Sequence, residues 1–117
     1  MTAEARPDEN GTWRLHVHYV IRNAGTANTG AMFMKVYGSD PLRFSSPSTD
    51  EGQFKYEDYV PPASLSPNDI PGGNYTSPYT LHIGLQSAVP RGTYPLLLKI
   101  YFGKGKVAQA RFVARVE

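Results

Sequence analysis

Apolar and polar residues alternate without a break from position 13 to position 19. Trp13, Leu15, Val17, Tyr19 and Ile21 fall on one side, and Arg14, His16, His18 and Arg22 on the other. Over residues 13–22 this period-2 pattern predicts a β-strand with one face packed and one face wet. Asn23-Ala24-Gly25 then stops it, since Asn and Gly tolerate positive φ at little cost. One such strand cannot bury its apolar face alone, so the rest of the chain must supply partner strands and a facing layer.

Similar runs follow. Residues 31–37 (AMFMKVY) place Met32, Met34 and Val36 inward and Phe33, Lys35 and Tyr37 outward. Residues 54–60 (FKYEDYV) read as an edge strand, with a brief one at 42–44 and a poorly marked first strand at 2–6. Residues 79–85 alternate Tyr79, Leu81, Ile83 and Leu85 against Thr80, His82 and Gly84. Residues 94–102 carry Leu96, Leu98, Ile100 and Phe102 on one face. Gly103-Lys104-Gly105 turns the chain tightly into residues 106–116, where Ala108, Ala110, Phe112, Ala114 and Val116 share a face. No stretch carries a convincing helical period. Ten prolines and eleven glycines lie mostly between the apolar runs, as in a protein of short strands joined by turns. The expected fold is an all-β, immunoglobulin-like antiparallel β-sandwich of seven to eight strands in two sheets, one domain over residues 1–117. Residues 1–11 are a polar N-terminal segment, and 61–78, with five of the ten prolines, are a long surface loop. The expected core is Trp13, Leu15, Val17, Tyr19, Ile21, Met34, Val36, Leu81, Ile83, Leu96, Leu98, Ile100 and Phe112.

Composition removes several functions. A net charge of +2 is too small to imply nucleic acid, and no apolar run is long enough to cross a bilayer. The chain has no cysteine, so disulfides, thiol nucleophiles and thiolate metal sites are excluded. No secretory leader is visible at the N-terminus. Asn10-Gly11-Thr12 and Asn74-Tyr75-Thr76 match the N-glycosylation acceptor pattern in expected turns, a weak pointer to export.

Asn23-Ala24-Gly25-Thr26-Ala27 after the valine-rich strand, Ser66-Pro67-Asn68-Asp69 before the strand at Leu81, and Val89-Pro90-Arg91-Gly92-Thr93-Tyr94 before residues 96–101 form an ordered set. This order resembles immunoglobulin-like accessory modules of the CARDB type and archaeal S-layer-related repeats, over roughly residues 12–116. The resemblance implies a spacer or adhesion module of a larger prokaryotic surface or secreted protein, with no catalytic residues. Asn23, Gly25, Gly92 and Tyr94 take structural roles in it. Tyr94 stands where such sandwiches bend a tyrosine hydroxyl back to the main chain, the tyrosine corner.

Three surfaces are candidates for function. His16 and His18 on the polar face of the second strand, and His82 on the strand expected beside it, share one solvent-facing patch whose three imidazoles suit Zn²⁺. The ordinary alternative is three exposed histidines with no acidic partner on those strands. The outer face of the other sheet gathers Phe33, Lys35, Tyr37, Leu97, Lys99, Tyr101, Gln109, Arg111, Val113 and Arg115, basic and aromatic together. Such a face can hold a glycan or polyanion, contact a neighbouring domain or a second copy, or be solvated with lysine stems covering the rings. Tyr75 and Tyr79, with Tyr56 and Tyr59, make a tyrosine-rich corner at the long loop. Catalysis has no foothold. No serine lies in a G-x-S-x-G turn, and Glu57 and Asp58, adjacent on a strand, face opposite ways.

The expectation is therefore a non-catalytic structural or adhesion module at the cell surface or outside the cell, without cofactor, nucleic acid or membrane insertion. A carbohydrate- or polyanion-binding sandwich and a stand-alone oligomerising cytosolic sandwich are the alternatives.

Overall fold

The alternating stretch forms strand β2 (Trp13–Tyr19) in a computed structural model that describes residues 1–22, 32–45, 49–50, 53–59, 79–103 and 105–117. Leu15, Val17 and Tyr19 are buried, as their phase requires. The strand ends at Tyr19 rather than Arg22, with Tyr79 paired to Tyr19 and Thr2 to His18. Val20, just beyond, is half exposed.

Strand β1 (Thr2–Pro7) pairs antiparallel with β2 along its whole length, and its Ala3 and Ala5 are buried. The weak first strand is thus a full one, marked only by alanines that alternate with Glu4 and Arg6. The turn between them is fastened by Asp8. Its carboxylate accepts the amides of Asn10 and Thr12 at 2.9 and 3.0 Å, and Gly11 takes a φ of 82° there. On the other side of β2 lies β6 (Tyr79–Gly84), also antiparallel.

Strand β3 (Phe33–Gly38) sits between β5 (Gln53–Tyr59) and β7 (Gly92–Phe102). Two-residue β4 (Thr49–Asp50), unmarked in its polar surroundings, pairs with the start of β5. The hairpin of β7 and β8 (Lys106–Val116) is in register for eleven pairs, from Gly92↔Val116 to Phe102↔Lys106. Beside β8, β1 runs parallel for two pairs, Ala3↔Ala114 and Glu4↔Arg115.

Seven strands and the short β4 thus make one continuous, near-closed sheet, ordered β4-β5-β3-β7-β8-β1-β2-β6. Near-closure comes from the chain after β3. The edge strand expected at 42–44 reduces to one bridge, Phe44↔Leu85, reinforced by Ser45 N–H to Gly84 O and Gln86 N–H to Arg43 O, both 2.8 Å. Leu42 and Phe44 are driven fully inside by this crossing, though neither belongs to an alternating run. Of the expected core, nine residues are buried, while Trp13, Ile21, Ile100 and Phe112 pack against it partly exposed.

Tyr94, early in β7, donates its hydroxyl to Pro90 O at 2.6 Å. Gly92 takes a φ of 147°, and a Cβ there would meet the Tyr94 hydroxyl at 3.4 Å. Tyr94→Phe should lower unfolding free energy by about 1 kcal/mol without altering the fold, the net worth of one such bond. Urea denaturation measures it, and an unchanged midpoint would assign the hydroxyl no structural weight.

Candidate functional site

The β3, β7 and β8 registers assemble the expected basic-aromatic face in rows. Phe33 lies opposite Tyr101, Lys35 opposite Lys99, and Tyr37 opposite Leu97. Across the hairpin Lys99 faces Gln109, Leu97 faces Arg111, Pro95 faces Val113 and Thr93 faces Arg115. Directly opposed lysines repel. Here each leans diagonally onto a ring of the other strand: Lys35 Nζ lies 5.1 Å from the Tyr101 ring centre, and Lys99 Nζ 5.3 Å from that of Tyr37. The ring quadrupoles attract the cations while their separation relieves the repulsion.

Burial sorts these residues. Tyr37 is 6 % exposed, so its ring belongs to the packing beneath Lys99. Phe33, Lys35, Leu97, Lys99 and Tyr101 are half-buried, whereas Gln109, Arg111, Val113 and Arg115 are exposed. A groove of about 590 Å³ crosses the face between Tyr37, Lys99, Tyr101, Gln109 and Arg111. On the β5 side Lys55 pairs with Glu57 at 3.6 Å, so positive charge concentrates toward β7 and β8. Residues 92–116 carry Lys99, Lys104, Lys106, Arg111 and Arg115 and not one Asp or Glu. That run is legible in the sequence, and its place on one hairpin gives it meaning.

The histidine face is also assembled, with different occupancy from that expected. His16 pairs in register with His82 on one side and Glu4 on the other. The rings of His16 and His82 meet edge to face, centres 4.7 Å apart. Yet His16 is 7 % exposed, not solvent-facing, and its Nδ1 has no hydrogen-bond partner. Burial pushes the His16 pKa down, helped by the charges of Arg6 and His82. His18 is committed elsewhere. Its Nε2 donates to Glu4 Oε1 at 2.9 Å, and its Nδ1 lies 2.8 Å from the Thr80 hydroxyl. A carboxylate only accepts, which places a proton on Nε2. An acidic neighbour thus comes from β1 and not from the histidine strands: it is Glu4. Among the described residues no group of three His, Asp or Glu side chains is placed to hold a metal ion.

Tyr75, Asn23, Gly25 and the loop 61–78 lie outside the described residues, and of Tyr79 only the backbone pairing with Tyr19 is described. The register sets Glu57 opposite Lys35 and Asp58 opposite Met34, which lie on opposite faces of β3.

No family model matches this chain, and comparisons with curated proteins and with solved structures return no significant match.

Proposed function

We propose that this chain is a non-catalytic contact module of a larger prokaryotic surface or secreted protein, and that its β3–β7–β8 face meets a partner protein. The carrying observation is the acid-free β7–β8 hairpin, whose cations border the groove at Tyr37 and Tyr101. Both tyrosine rings already carry a lysine ammonium, so the face offers charge and apolar edges rather than open stacking platforms for sugars. This favours protein contact over the glycan reading.

The finer fold reading supports the same class. Among the described residues the strand order divides into β4-β5-β3-β7-β8 and β1-β2-β6, joined on one side by the two-pair seam of β1 and β8 and on the other by the Phe44↔Leu85 bridge. A sheet creased at that seam is an immunoglobulin-like sandwich, with β2 beside β6 in one layer and β3, β7 and β8 in the other. The turn of Tyr94 onto Pro90 is the tyrosine corner of that architecture. It is the arrangement that the resemblance to CARDB-type and S-layer-related modules implies.

The test is the mass and location of the native polypeptide, by fractionation of the source cells and mass spectrometry. The expected result is a chain much heavier than 12.9 kDa in the envelope or secreted fraction. A free chain of that mass in the cytosol overturns the surface-module reading.

A further inference from the structure

The groove on the outer face follows β7 from Pro95 to Tyr101, about 20 Å of strand. An extended segment of about six residues matches that length. Cations stand at its middle. Lys99 on β7 and Arg111 on β8 both line it, and Leu97, two residues before Lys99 and directly opposite Arg111, adjoins the two. The Tyr37 ring centre lies 5.3 Å from the Lys99 ammonium, so that charge is set in place before anything binds. The neighbouring cations are answered differently. Lys35 faces Glu57 in register, and Lys55 pairs with the same carboxylate at 3.6 Å. Among the described residues no carboxylate lies within ion-pair distance of Lys99 or Arg111, and the hairpin that carries both has no Asp or Glu to offer. Lys99 is half-buried, and salt screens such a charge less than one in open solvent.

From this charged groove we infer that the partner protein docks through an extended acidic segment, with a Glu or Asp carboxylate seated between Lys99 and Arg111. Arg111 meets that carboxylate as a planar fork and Lys99 as a point charge. The aliphatic stem of the acid rests on Leu97. Charge complementarity chooses this occupant. A second copy in a symmetric pair would set the same patch against itself, cations facing cations. A glycan would need bare ring faces, and Tyr37 and Tyr101 each carry an ammonium. The inference deepens the protein-contact reading above and rests on it.

The probe is hexaglutamate, blocked at both ends and titrated at physiological ionic strength into the full chain while backbone amides are followed by NMR. The expected result is saturable binding, with shifts gathered at residues 95–101, 109 and 111 and clearly weaker binding of the neutral isostere hexaglutamine. Lys99→Met and Arg111→Gln should each weaken hexaglutamate about tenfold, the worth of a charge-assisted hydrogen bond. Arg111 is exposed, so its replacement leaves the fold intact. Arg115→Gln removes the same charge from the same hairpin outside the groove, and should change binding less than about twofold. Several outcomes overturn the inference. They are no saturation at millimolar peptide, equal binding of hexaglutamine, a loss on Arg115→Gln as large as that on Arg111→Gln, and groove shifts that grow with protein concentration alone. A heparin hexasaccharide that takes the groove more tightly than hexaglutamate also overturns it, handing the site to a glycan. Failure of hexaglutamate beside a heavy, envelope-located native chain strikes the acidic occupant alone. A light cytosolic chain strikes the surface reading, while binding in the groove still carries the acidic occupant.

Discussion

Phe44→Ala should lower unfolding free energy by about 3–5 kcal/mol, the usual range for emptying a fully buried phenylalanine site. Phe44 is 1 % exposed and, among the described residues, the largest of the fully buried side chains. It also sits where the sheet nearly closes. Its backbone bridges Leu85, and its carbonyl accepts the Gln86 side-chain amide at 2.8 Å. The ring tip presses on Gly38, where a Cβ would lie 3.2 Å from both Phe44 Cζ and Leu96 Cδ2. Gly38 ends β3 without a side chain because ring and leucine already occupy that space. The surroundings of so tight a contact relax little, so the truncation leaves a cavity as well as lost burial. Since small domains hold only about 5–15 kcal/mol in all, the melting temperature should fall by roughly 15 °C or more. Val107→Ala, on the exposed side of β8, should stay within about 0.5 kcal/mol. A Phe44→Ala loss under about 1 kcal/mol would remove this crossing from the core.

That same residue shows where the sequence stops being legible. Alternation located β2, β3, β5, β6, β7 and β8 because each repeats its apolar phase over six or more residues. Leu42 and Phe44 sit between Pro41 and two serines, and two apolar residues carry no measurable period. Their burial is decided by the crossing from β3 toward β6, a long-range event. Alanines hide β1 in a similar way. Ala3 and Ala5 are buried against β2 and β8 neighbours, but a small side chain gives a weak hydrophobic signal.

The candidate sites divide along the same line. Which residues share the β3–β7–β8 face follows from phase, and phase was readable. That Lys35 and Lys99 exchange places over Tyr101 and Tyr37 follows from register, which no single strand reveals. Strand neighbours decide the rest. Glu4 reaches His18 because β1 lies beside β2. Charge was readable throughout, as the acid-free run over 92–116 shows, but only the hairpin turns it into a surface.

His16 should make stability fall as the solution is acidified through and below pH ~6.5. The ring is buried on the β1–β2–β6 face, and its pKa lies below the ordinary histidine value: burial disfavours the imidazolium, and Arg6 and His82 repel it. Glu4 acts the other way, while His18 adds to the repulsion. Arg14 is on the same side of β2, one pair beyond, and holds Asp8 at 3.3 Å. The sign follows from proton counts. Above about pH 6.5 both folded and unfolded rings are neutral, and this group makes no pH dependence. Below it the unfolded ring binds a proton that the folded ring refuses, so unfolding gains at most about 1.4 kcal/mol per pH unit. The loss levels off once the folded ring's own lower pKa is passed. Urea midpoints measured at half-unit steps from about pH 7.5 to 5 should therefore be flat, then decline. In His16→Leu the titrating ring and its orphan Nδ1 both disappear. That variant should flatten the upper part of the decline and lose little stability at neutral pH, since an unsatisfied buried atom is exchanged for an apolar one. A wild-type profile with no decline, or a His16→Leu profile that keeps all of it, would take the effect away from His16.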